Sequence, residues 1–246
     1  MSSTHGFSDR FGGVSRAEFS ELNLSSNVGD DASAVEQNRA LALEVLGLSA
    51  FRLARLRQVH SSEVVTVTRD SDRAHLPMAD ALVTNLPGVA LVIETADCYP
   101  VLLEDTEVGV IAAAHCGWRG TAGRLLERVL EAMQVLGAKP ERIRAAIGPG
   151  ICAAQYAVGT DVLLRFAQAG FPEGAYLERT GGLSRSGIEQ FFVNLEGANR
   201  WLLTENGVLS GNIWSAGLCS TSADFFSHRR DHGKTGRMWS VIARRE

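Results

Sequence analysis

Cysteine is scarce: Cys98, Cys116, Cys152 and Cys219 are the only four in 246 residues, and no two form a CxxC pair. That argues against a disulfide framework and predicts reduced thiols in a cytoplasmic chain. Long apolar runs are missing too. None approaches the roughly 20 residues needed to cross a bilayer, so no membrane partner is expected. The opening Met1-Ser2-Ser3-Thr4-His5-Gly6 has neither a basic region nor an apolar stretch, so no secretory signal is expected. Positive charge is not in excess. A net charge of -4 argues against nucleic acid as the main partner, because surfaces that bind its phosphates are broadly basic. Repeats, low-complexity blocks and long linkers are also absent.

What is present is an ordinary globular composition, 45% hydrophobic and 21% charged, on a chain long enough to bury a large core. Asp30-Asp31-Ala32-Ser33 reads as a helix start, and apolar residues at three- and four-residue spacing continue the helix to Leu46 before Gly47 stops it. Further helices are predicted over 121–133, 160–170 and 194–206. Leu56 to Thr68 reads as a strand or hairpin carrying His60. Leu91-Val92-Ile93, Val108 to Ala114, Ile143 to Ile147, Ile213 to Ser215 and Trp239 to Ala243 read as strands. Helices and strands alternate without a βαβ rhythm, so a single α+β domain over residues 1–246 with mixed sheets is expected.

Two glycine motifs are set aside. Gly148-Pro149-Gly150-Ile151-Cys152-Ala153 fits a dinucleotide fingerprint, but polar Gln155-Tyr156 and Gly159 interrupt the helix it needs, so a structural turn is expected. Gly233-Lys234-Thr235 ends like a phosphate loop, yet His228 stands where its first glycine belongs. The basic run His228 to Arg237 remains open: a solvated turn, or a tight loop presenting guanidiniums to an anion.

The stretch from Ala79 to Gly120 holds two apolar runs, and each leads into a metal-ligand type, Cys98 in one and His115 in the other. Side chains just past strand ends are where open sheets place their chemistry. With His60 they would supply two imidazoles and a thiolate, a set that suits zinc with an open fourth position and equally a trigonal copper site. Distant ligands carry no local finger signature, and Cys98 with His115 alone would instead suit a thiol hydrolase. Cys116 should point the opposite way along an extended backbone and pack, whereas His5 and His75 read as surface residues. Asp97 reads either as a proton relay or as part of a hydrogen-bonded turn.

The ordered segments Arg57-Gln58-Val59-His60, Ala79-Asp80-Ala81-Leu82-Val83-Thr84, Thr95-Ala96-Asp97-Cys98-Tyr99-Pro100, Ala114-His115-Cys116-Gly117-Trp118-Arg119-Gly120-Thr121 and Ile147-Gly148-Pro149-Gly150-Ile151 carry a resemblance across nearly the whole chain. With Phe226-Ser227-His228-Arg229-Arg230 and Thr235-Gly236-Arg237 they make the chain resemble the laccase-domain family, also called multicopper polyphenol oxidases and reassigned as purine nucleoside phosphorylases with adenosine deaminase activity. The resemblance implies mixed sheets flanked by helices in α/β/β/α layers and a zinc ion on His60, Cys98 and His115, with copper as the alternative. Its substrates would be phosphate and a purine nucleoside such as inosine, adenosine or methylthioadenosine. Arg119, Arg229 and Arg230 are the expected phosphate clamp, and Asp97, Arg119 and His228 the expected catalytic groups. Two positions depart from the family pattern: Ser61 stands where a glycine usually follows the first ligand, and Cys116 where alanine follows the last. Copper-dependent phenol oxidation is the minor alternative, since six histidines are few for several copper centres. Oligomeric state is not legible in the residues.

Overall fold

The computed structural model describes residues 1–71, 76–183, 187 and 189–245. In chain order the first half contains β1 (Thr4–Phe7), α1 (Ala32–Val45), β2 (Arg52–Ala54), β3 (Val64–Thr66), β4 (Ala81–Thr84), β5 (Val89–Thr95), β6 (Tyr99–Asp105) and β7 (Val110–Cys116). Then come α2 (Trp118–Ala122), α3 (Leu125–Val135), β8 (Arg144–Ile147), β9 (Ala157–Val158), α4 (Thr160–Gln168) and α5 (Glu173–Tyr176). The chain ends with β10 (Leu177–Leu183), β11 (Glu189–Val193), α6 (Leu195–Glu205), β12 (Ile213–Ser215) and β13 (Met238–Ala243).

Two mixed sheets form the centre. One has the order β1-β13-β5-β2, the other β12-β8-β6-β7-β4-β3, and a small antiparallel sheet β10-β11-β9 lies apart. Strand side chains alternate in direction, and here both directions are apolar. Leu91 and Ile93 of β5 pack with Leu82, Leu102, Ile111 and Ala113 between the two central sheets, while Ala90 and Val92 pack with Ala42, Leu43 and Leu46 of the α1 region. On the far side, Val101, Leu103, Ala112 and Ala114 meet Leu126, Val129 and Leu130 of α3 and Leu202 of α6. The layers are therefore α/β/β/α, as expected, and burial on both faces explains why β5 and β7 are continuous apolar runs.

Several expectations need correction. Two apolar strand ends side by side would make a site, but the runs that lead to the candidate ligands lie in different sheets, β5 in the first and β7 in the second. The chain crosses between sheets at Thr95 to Tyr99 and returns as β6, whose Tyr99 and Pro100 pair with Cys116 and His115. Strand β6 was not anticipated because Pro100, Glu104 and Asp105 disguise it. Its carboxylates are buried but satisfied: Glu104 accepts the Ser2 and Ser3 N–H groups at 2.7 and 2.9 Å, and Asp105 accepts from Arg142 at 2.7 Å. The helix expected over 121–133 is two helices, α2 and α3, divided at Arg124, which takes a left-handed φ of 60°. Residue His60 is in a loop, since only Val64–Thr66 of the expected strand is extended in a sheet. Gly148-Pro149-Gly150 is not the turn expected: the Gly148 N–H donates to Pro100 O and Gly150 bridges Cys219 in parallel, so the segment prolongs the extended course of β8 and no α-helix follows it as a dinucleotide loop requires. Cys152 and Cys219 are joined in a disulfide, which corrects the expectation of reduced thiols throughout. Gly150 and Cys219 bridge as neighbouring backbones, which brings the two thiols together across 67 residues.

Candidate metal centre and cavity

The crossover between sheets builds the site. Cys98 sits at the mouth of β6, His115 is the last residue but one of β7, and the loop between β2 and β3 brings in His60. Their ligand atoms all lie within 4.8 Å of one another, and the two imidazoles meet edge to face with centroids 4.9 Å apart. A tetrahedral zinc spaces nitrogen and sulfur ligands about 3.3 to 3.7 Å apart, so modest side-chain adjustment would close this trio on an ion. Gly117 provides the room: a Cβ there would lie 2.8 Å from Cys98 Sγ and 3.2 Å from His60 Cδ2. The donor set, its convergence and this cleared volume fit a metal ion.

Asp80 organises the trio and was missed as a functional residue. Fully buried at the entrance of β4, it accepts from His115 Nδ1 at 2.9 Å, from the His60 backbone N–H at 3.0 Å and from Ser61 Oγ at 2.8 Å. The first bond directs His115 Nε2 toward Cys98; the others hold the His60 loop, where His60 itself has a φ of 58°. Ser61, the departure from the family pattern, thus adds a hydroxyl bond to this carboxylate. A lone acid inside Ala79-Asp80-Ala81-Leu82-Val83 is the signal that marks it: a buried charge persists only when fully bonded.

Electrostatics agree with the geometry. Burial raises the Asp80 carboxyl, but bonds from His115 and Ser61 more than offset it and hold it at about 2. Burial also pushes the Cys98 thiol up, and the facing charge and hydrogen bonds of His115 and His60 bring it down to about 6. His115 is lowered by burial and raised more strongly by Cys98 and Asp80, to about 9. Cys116 is wholly buried in the core, and burial with the nearby Cys98 and Asp80 charges keeps its thiol neutral. It packs, as alternation along the strand requires.

The trio opens into a cavity of about 910 Å³ whose wall includes Asp97, Trp118, Arg119, Ile151, Tyr156, His228, Arg229 and Arg237. Arg119 projects from α2 with its guanidinium 4.4 Å from the Trp118 ring. Arg229 is anchored by Nη1 to the carbonyls of Gln155 and Ala157 at 3.4 and 3.1 Å. Its N–H donates to Asp97 at 2.7 Å, and the other Asp97 oxygen accepts Ser220 Oγ at 2.7 Å. Both Asp97 oxygens therefore bind loop groups, which favours the turn reading of this residue. Arg230 is not on the cavity wall. Its guanidinium grips Asp231 at 2.7 and 2.8 Å and the carbonyls of Ser222 and Phe225, so it closes the basic loop rather than facing the site. Arg57 and Arg237 also line the cavity but were singled out only as parts of motifs. His5 is half-buried, with Nδ1 beside Ser3 O, whereas His75 lies outside the described residues.

The family model described as multi-copper polyphenol oxidoreductase laccase matches residues 4–245. A purine nucleoside phosphorylase of Deinococcus radiodurans is 51% identical over 241 residues, covering 97% of this chain and 88% of the relative. Adenosine deaminase RL5 of an unknown prokaryotic organism is 36% identical, covering 94% and 89%. The crystal structure of Bacillus licheniformis hypothetical protein YfiH superposes with a TM-score of 0.89 at 30% identity, covering 98% of this chain and 92% of that one. With matches of this extent and a shared fold, the chain belongs to the multi-copper polyphenol oxidoreductase laccase family.

Proposed function

We propose that the chain is a zinc-dependent purine nucleoside phosphorylase that converts inosine, adenosine or methylthioadenosine to the free base and a ribose 1-phosphate. The observation that carries the reading is the joining, in one cavity, of a His-Cys-His trio with the side chains of Arg119 and Arg229. The relative named purine nucleoside phosphorylase supports it. In phosphorolysis a phosphate oxygen bonds to C1′ as the C1′–N9 bond breaks, and the purine takes up a proton. Arg119 and Arg229 hold the phosphate, because a guanidinium offers paired donors to an oxyanion. His228, exposed on the cavity wall, supplies the proton. Asp97 acts by holding the N–H of Arg229 and thereby the loop that carries both residues. A metal on His60, Cys98 and His115 would supply Lewis acidity beside these groups.

The relative named adenosine deaminase motivates a second activity of the same cavity, release of ammonia from adenosine. A thiol hydrolase built on Cys98 and His115 leaves the converging His60 imidazole without a task. Oxidation by several coppers needs more than the single ligand cluster found among the described residues. The test is incubation with inosine and with adenosine, with and without phosphate, followed by chromatography of the products. Base release that requires phosphate is expected; release independent of phosphate, or ammonia alone, rejects the phosphorylase reading.

A further inference from the structure

Two buried tyrosines stand near the site, and they differ in one respect. The hydroxyl of Tyr99 donates to Ile151 O at 3.2 Å. Tyr156 is 8% exposed and lines the cavity, and its hydroxyl makes no hydrogen bond to a described residue. The Arg229 guanidinium lies 5.3 Å from the centre of its ring. That cation is held there by the carbonyls of Gln155 and Ala157, which flank Tyr156 in the chain. Phenol and guanidinium are thus neighbours on one stretch of the cavity wall.

Burial pushes the phenol well above its usual range, the nearby Cys98 charge adds to that, and Arg229 and Arg119 oppose it. At neutral pH the group is a protonated O–H: a donor that brings no charge. A tetrahedral oxyanion has more acceptor lone pairs than two bidentate guanidiniums fill, and a neutral donor adds to the shell without adding charge repulsion.

We propose that Tyr156 is a further binding residue of the anion subsite, donating its hydroxyl hydrogen bond to the phosphate held by Arg119 and Arg229. The inference rests on the phosphorylase reading for the identity of the anion. Its test does not require turnover. Tyr156→Phe keeps the ring under Arg229 and removes only the hydroxyl. Calorimetric titration of the zinc-loaded protein with inorganic phosphate should show affinity weaker by about tenfold to a hundredfold, the loss expected for one hydrogen bond to a charged group. In the phosphorolysis assay the KM for phosphate should rise in step, with the KM for nucleoside unchanged. Phosphate binding as tight as in the unsubstituted protein overturns the assignment, as does a loss confined to the nucleoside. Hydroxyl-dependent phosphate binding in a protein that releases no base would sustain Tyr156 as an anion ligand and defeat the phosphorylase reading alone. An active enzyme whose Tyr156→Phe variant binds phosphate normally would do the reverse.

Discussion

Asp80 illustrates why a ligand trio needs a fourth partner. An imidazole has two nitrogens, and only a bond to one of them decides which faces the metal. Asp80 makes that bond to His115, and by accepting N–H groups of the His60 loop it holds with the same carboxylate the backbone that carries the second imidazole. Asp80→Asn replaces an acceptor by a group that must present N–H to other donors. The variant is expected to bind zinc about 10- to 100-fold more weakly, measured by competition with a chromophoric chelator. Unchanged zinc affinity would show that the loop and His115 are held by other contacts. At this scale the sequence was readable for residue chemistry: His60, Cys98 and His115 were candidates by type. Asp80 appeared only within a family motif, because its role lies in bonds to residues 20 and 35 positions away.

Among the elements, β6 shows how burial rewrites local pattern. Its N-terminal half sets Tyr99 and Pro100 against Cys116 and His115, and its C-terminal end carries Asp105, fully buried. Asp105 accepts from Arg142 at 2.7 Å and from the Lys139 N–H at 3.0 Å, which fastens the connection after α3 to the sheet. Burial raises its carboxyl, but the bonds from Arg142, Lys139 and Glu107 prevail and hold it below the usual 3.8. Its folded value lies below its unfolded one. The stabilisation is therefore present above the unfolded value and lost as pH falls through that value toward the folded one. Asp105→Asn should cost about 1 to 3 kcal/mol at neutral pH, and the gap from the unsubstituted protein should narrow as denaturation is followed below pH about 4. A gap that stays constant with pH would mean that the carboxylate charge contributes nothing. Helices were the most legible elements, because α1, α4 and α6 keep their periodicity and end at glycine or asparagine. The short strands β1, β2 and β9 were not, since two to four residues carry little pattern.

The molecule as a whole is joined by contacts that chain order does not announce. The disulfide Cys152–Cys219 ties the segment after β8 to the segment before the basic loop, where Ser220 meets Asp97. Closing a loop of 67 residues restricts the unfolded chain and contributes about 4 kcal/mol in the chain-entropy account. Reduction, or Cys219→Ser, should lower the melting temperature by on the order of 10 °C. Thiol titration of the unfolded, unreduced protein with metal removed should find Cys98 and Cys116 alone. Four reactive thiols and equal melting with and without reductant would show that the bond does not form.

Residue types and their order determined the α+β class with mixed sheets, the helices α1, α4 and α6, and the candidate ligands. Those features follow from periodicity, turn chemistry and donor chemistry, which act over a few residues. Tertiary structure alone decided that β5 and β7 lie in different sheets, with β6 bringing Cys98 to His115. It also decided that Asp80 orients the His115 ring and holds the His60 loop, that Arg230 grips its own loop while Arg229 faces the cavity, and that two cysteines pair. The physical reason is the same in each case: a buried polar group must find its partner wherever the fold has carried it, and that distance is not written in chain order.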